Sequence, residues 1–230
     1  MKDIIQFLRE LSVNNNREWF NANKERYKAV ERKVDEIAGA LIERIGTFDP
    51  DVRGLTPKDC TYRIYRDVRF SRDKSPYKTH IGIFISRGGK KSGYSGYYFH
   101  IAGDGAQWFD GHMFAAGDYC HEPSALRIIR EDIEGGPEFR EIIDKAAAEG
   151  LVLDKDLAMK RCPKGFDPSS PYADLLMYKA YCLVQPVSEG EMRQPLDKIL
   201  ALWTQRAQKA KPFLDFINRA IDFSRGGHLD

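Results

Sequence analysis

No stretch of this chain approaches the roughly 20 consecutive apolar residues that a membrane-spanning helix requires. The expected partners therefore exclude the bilayer core. The first ten residues mix Lys2, Asp3, Arg9 and Glu10 with apolar side chains and do not read as a secretory signal. Cysteine is scarce. Cys60, Cys120, Cys162 and Cys182 stand far apart and make no C-x-x-C pair, so neither a disulfide framework nor a zinc ribbon is indicated. They read as reduced thiols of a cytoplasmic protein. The chain also lacks the phosphate-loop string G-x-x-x-x-G-K-[ST], a dinucleotide fingerprint, H-E-x-x-H and G-x-S-x-G. The large enzyme classes that these strings mark are disfavoured. No internal repeat and no low-complexity linker interrupts the chain.

What remains is a sequence of 230 residues, enough to bury a sizeable core without covalent staples. Apolar residues make up 42% and charged residues 30%, the balance of a soluble globular protein. Predicted helices cluster at both ends and predicted strands lie between them. The fold class is α+β, with a mainly antiparallel sheet in the middle of the chain packed by long N-terminal and C-terminal helices. Residues 1–223 form one domain in this reading, followed by a frayed tail over 224–230.

Residues Asp3 to Leu11 read as a short helix. Asn15 and Glu18 have capping-box spacing, and a long helix follows to Ile45 with Phe20, Tyr27, Val30, Val34, Ile37 and Leu41 as its apolar stripe. Strand signals begin at Thr61–Arg66. Ile81, Ile83 and Ile85 alternate with His80, Gly82 and Phe84, and Tyr94–Ile101 returns after a glycine turn. Pairing Ser86 with Tyr94 sets Ile81 opposite Phe99, Ile83 opposite Tyr97 and His80 opposite His100. Ala106–Phe109 reads as a further short strand. Helices are predicted from Pro123 to Ile133 and from Pro137 to near Gly150, and a strand over Tyr178–Val184. Ser188 and Glu191 have capping-box spacing before a last helix, which Pro212 should kink or break.

The densest chemistry lies between Arg63 and Lys78. Arg63, Arg66, Arg69, Arg72, Lys74 and Lys78 stand there against only Asp67 and Asp73, in a chain whose formal net charge is +2. Such a local excess is a placed feature, not a diluted global bias. Guanidinium forks suit phosphate and carboxylate oxygens. The segment reads as an anion pocket for a phosphate-bearing small molecule or nucleotide. Arg66, Arg69 and Lys74 are its clamps, Tyr77 and Lys78 close it, and Arg63 and Asp73 belong to the same set. The competing reading is an ion-pair network that needs no ligand.

Lys160–Gly165 is a second basic loop, offering Arg161 and Lys164. Both loops are expected to border one concave site with Tyr98 or His100 on its wall. Asp67, Asp73 and His100 are the groups available for acid–base work. Two facing imidazoles, His80 and His100, suggest a metal, but no third ligand stands at diagnostic spacing, so no metal is assigned. Neither a catalytic residue nor a cofactor is assigned.

Tyrosines 62, 65, 77, 94, 97 and 98 surround the basic segment, which gives a nucleic-acid-binding module as the second reading. A scaffold protein with a purely structural basic segment is the third.

Four patches recur in this order in one known family. They are Asn14-Asn15 with Glu18-Trp19-Phe20, the Arg66–Lys78 string, Tyr97–Ile101, and Lys160–Phe166. On these the chain resembles a family of bacterial, plant and fungal proteins catalogued as domain of unknown function 2461. The resemblance runs from about Phe7 to about Phe223. It implies one full-length domain and carries over no catalytic residues. The chain departs from the family pattern at Gly111–Ala115, where relatives carry a glycine-rich stretch, a Trp or Tyr, and a proline.

Overall fold

The computed structural model describes residues 1–103, 109 and 111–226. The described chain opens with helices α1 (Lys2–Val13), α2 (Arg17–Ala22) and α3 (Lys24–Ile45), followed by the short α4 (Pro57–Cys60). Strands β1 (His80–Ser86), β2 (Gly96–Ala102) and β3 (His112–Gly117) come next, then α5 (Pro123–Glu134) and α6 (Glu138–Ala148). The chain continues through β4 (Val152–Leu153), α7 (Ala173–Leu176), β5 (Cys182–Val187), α8 (Glu189–Met192) and α9 (Leu196–Ser224). The strands form one antiparallel sheet in the order β1-β2-β3-β5-β4. The α+β class holds, with the sheet mid-chain and long helices at both ends.

The main apolar cluster extends in sequence from Ile4 to Ile221. One face of the sheet supplies Ile83, Phe99, Phe114 and Leu183 to it. Phe99 stacks on Trp203 of α9, ring centroids 5.0 Å apart, and both side chains are fully buried. Because strand side chains alternate, residues 80, 82, 84, 98, 100, 113 and 115 turn to the other face. A small second cluster on that face contains Ala115, Leu157, Ala180 and Cys182, with Tyr98 and Tyr119 packed against it.

The hairpin register differs from expectation by two residues. Ser86 pairs with Gly96, Ile83 with Phe99 and Ile81 with Ile101. A shift of two leaves every side chain on its expected face. Its cause lies in α9. The Asn218 side chain accepts from the Ser95 amide at 3.0 Å and donates to the Ser95 carbonyl at 3.1 Å, so that residue cannot join the ladder. Gly96 then takes the first paired position, where a Cβ would come within 2.4 Å of the Ile85 carbonyl oxygen.

The expected helix from Asn15 to Ile45 is two helices. Asn16, not Asn15, is the cap: its side chain accepts from the Trp19 amide at 2.9 Å. Asn23 divides the helices, its amide donating to the Trp19 carbonyl at 2.9 Å. Here a local side-chain bond outcompetes helix continuation. Thr61–Arg66 forms no regular strand, only isolated bridges from Thr61 to Ile83 and from Tyr65 to Tyr77. The predicted Tyr178–Val184 strand begins four residues later, at Cys182, and runs through Pro186. Ser188 caps only the one-turn α8, because Pro195 restarts the chain as α9.

Pro212 neither breaks nor ends α9. Ala207, Ala210, Phe213, Phe216 and Ile217 are buried on both sides of it. That burial outweighs the roughly 3 kcal/mol that an interior proline costs a helix. The predicted Ala106–Phe109 strand and the tail beyond Gly226 lie outside the described residues, apart from Phe109. No described helix is long and apolar enough to cross a membrane.

Candidate functional site

The sheet face turned away from α9 carries a cavity of about 280 Å³. Its floor comes from alternate strand positions: His80, Gly82 and Phe84 of β1, Tyr98 of β2, Ala115 and Gly117 of β3, and Cys182 of β5. Tyr62 and Lys78 form one part of the wall; Asp118 and Tyr119 form another. The small floor residues create the space. A Cβ on Gly82 would meet the Tyr98 ring at 2.6 Å, so only glycine lets that ring lie across β1. Gly117 has φ +133° and sits against the Tyr181 carbonyl, another position that a side chain could not share.

The polar groups here are tuned by burial. Lys78 is half-buried, with its ammonium 5.5 Å from the centre of the Tyr62 ring. Loss of water and then the nearby Arg63 charge lower its pKa. No carboxylate pairs with it among the described residues. Burial, followed by the charges of Lys78 and Arg66, lowers the His80 pKa to about 4, and the imidazole is neutral at neutral pH. Burial and then His80 and His112 lower His100 to about 3. The Tyr98 hydroxyl and His100 Nδ1 are 2.9 Å apart. Burial also raises both Tyr98 and Tyr119, and pushes the Cys182 thiol up to about 12, so that thiol is not a nucleophile.

His80 and His100 are not directly opposite: His80 pairs with Ala102 and His100 with Gly82. Their rings still meet diagonally and stack, with centroids 4.7 Å apart and planes 27° apart. Stacked rings do not aim their nitrogens at one point. Among the described residues no group of three His, Cys, Asp or Glu is placed to hold a metal ion.

The structure separates the basic segment into two parts. Its stem is a ribbon, with the Arg66 amide donating to the Pro76 carbonyl and the Lys78 amide to the Ile64 carbonyl. Lys78 reaches the cavity from the foot of this stem. Arg66, Arg69, Arg72 and Lys74 belong to the loop. Arg66 bonds Asp73 at 2.8 Å, the Ser75 carbonyl at 2.8 Å and the Ser71 hydroxyl at 3.3 Å. Ser75, then Arg66, holds Asp73 down at about 2. Arg69 pairs with Asp67, and Lys74 caps the Val68 carbonyl at 3.0 Å.

Tyr77 is buried and stacks on Phe20 with centroids 4.0 Å apart. Arg63 is exposed near Lys78. His100 lies buried beside Tyr98. Of the residues assigned to the anion site in the sequence, Lys78 and Tyr98 therefore line the cavity, as do Tyr62 of the tyrosine set and His80 of the facing imidazoles. Arg63, Arg66, Arg69, Asp73, Lys74 and Tyr77 do not, and neither Arg161 nor Lys164 contributes to its wall. Asp118, Tyr119, Gly117 and Cys182 were not singled out as site residues. The one signal pointing to the floor is the alternation in β1, which sets His80, Gly82 and Phe84 on the face opposite the isoleucines.

No curated protein and no solved structure matches this chain. A family model described as "Conserved hypothetical protein (DUF2461)" matches residues 3–216, the span that holds the sheet, the ribbon and every wall of the cavity, and the chain belongs to that family.

Proposed function

We propose that the cavity binds a small phosphate-bearing organic molecule with a flat apolar body. The observation that carries this reading is Lys78, a half-buried ammonium at the wall of a cavity that also presents the rings of Tyr62, Phe84, Tyr98 and Tyr119, with no carboxylate in ion-pair contact among the described residues. A buried charge without a counter-ion is costly, and an anionic ligand removes that cost. Arg63 adds positive potential beside it. Phe84, Tyr98 and Tyr119 offer ring faces and edges to the flat body. Asp118 repels the phosphate and accepts from a hydroxyl or amino group elsewhere on the ligand. Neutral His80 is the proton-transfer group at hand; its Nδ1 is buried and has no hydrogen-bond partner among the described residues.

The four cysteines are free thiols, which fits the reducing cytoplasm, where we place the protein.

Phenyl phosphate is a fitting probe. Calorimetry should show binding by the unaltered protein. Lys78→Met should weaken it about tenfold or more, the loss of one charged hydrogen bond of about 1.5–3 kcal/mol. Arg161→Ala should leave it unchanged. Equal affinity in Lys78→Met would refute the assignment.

A further inference from the structure

Phe70, at the tip of the Arg66–Pro76 loop, is 96% exposed, the highest value of any large apolar side chain described. The loop that presents it is pinned from within. The three Arg66 contacts close its neck, Lys74 holds Val68, and the Asp67 carboxylate accepts from the Arg69 amide. With the loop held this way, the exposure of Phe70 is built into its shape. Two cations accompany it: Arg69, paired with Asp67 yet 77% exposed, has its guanidinium 5.9 Å from the ring centre, and Arg72, two residues further on in the chain, is exposed with no acid partner among the described residues.

A partner for this tip must offer a flat face to the ring and negative oxygens on either side of it. Phe70 is no part of an apolar run, since Arg69 and Ser71 adjoin it in the chain and Arg72 follows. An unpaired base between two phosphates has that chemistry, and a duplex hides its base faces. We infer that the Asp67–Ser75 loop is a docking point for single-stranded nucleic acid, with a base stacked on Phe70 and phosphates at Arg69 and Arg72. The contact is separate from the cavity and does not depend on its ligand. With a net charge of only +2 on the chain, affinity rests on this local patch and is modest.

Fluorescence anisotropy with a labelled oligothymidylate tests it. The unaltered protein should bind with a dissociation constant of about 10⁻⁴–10⁻⁶ M, and more tightly than it binds a duplex of equal length. Phe70→Ala should weaken binding about tenfold without changing the salt dependence. Arg72→Ala should instead reduce the slope of log affinity against log salt by about 0.7. Both side chains are exposed, so the melting temperature of each variant should match that of the unaltered protein. Absence of binding, equal affinity for the duplex, or Phe70→Ala binding as tightly as the unaltered protein would overturn the inference. So would capture by anionic lipid vesicles in place of the oligonucleotide.

Discussion

The side-chain amide of Asn15 donates to the Tyr77 carbonyl at 2.9 Å and accepts from the Tyr77 amide at 3.1 Å. Two short stretches of the family pattern, 62 residues apart, are thus joined as a strand pair would be. The bond sets the ribbon stem against α2, where Tyr77 stacks on Phe20, and so fixes where Lys78 emerges. Asn15→Ala would leave both backbone groups of Tyr77 without their partner. It should cost about 1–3 kcal/mol, seen as a lower urea midpoint. Asn15→Asp retains the acceptor and should cost less. Equal stability in Asn15→Ala would show that water replaces the amide at no loss.

Arg66 and Arg69 should separate sharply on truncation. Arg66 has only 15% of its side chain exposed and makes three contacts inside the loop; Arg69 is 77% exposed and pairs with Asp67. Arg66→Ala should open the loop, speeding protease nicking between Asp67 and Ser75 by roughly tenfold. Arg69→Ala should leave nicking and melting unchanged, since exposed ion pairs contribute little to stability. Similar nicking of the two variants would contradict the role given to Arg66.

The half-buried His80 and the buried His100 set an acid limb to stability. His80 titrates at about 4 and His100 at about 3 in the folded chain, against an ordinary 6.5. Below 6.5 the unfolded chain binds these protons first, so stability rises with pH through this window. The contribution is complete above 6.5 and is lost as pH falls through 4 and then 3. For His80 alone the loss is at most about 3 kcal/mol. Denaturant titrations at stepped pH should show it, and His80→Gln should flatten the limb. An unchanged slope in that variant would remove His80 as its source.

The β1–β2 hairpin was legible because Ile81, Ile83 and Ile85 alternate with other residues around a glycine turn. Its register was not, because the decisive contact comes from Asn218, far along the chain on α9. The basic segment was legible as a cluster of charge. Its division into a pinned loop and a lysine at the cavity wall was not, because that depends on which carbonyls and carboxylates the loop brings to Arg66 and Lys74. The cavity floor was the hardest to read. Gly82, Ala115 and Gly117 contribute by lacking bulk, and a missing side chain carries no chemical signature in sequence. Asp118, Tyr119 and Cys182 join them only once β3 and β5 pair.

A crystal grown with phenyl phosphate is the most direct test of the assignment of the cavity. The phosphate should lie within hydrogen-bond reach of Lys78 Nζ, with the phenyl ring against Tyr98 and Phe84. Phosphate density at Arg69 or Arg161 with the cavity unfilled would contradict it.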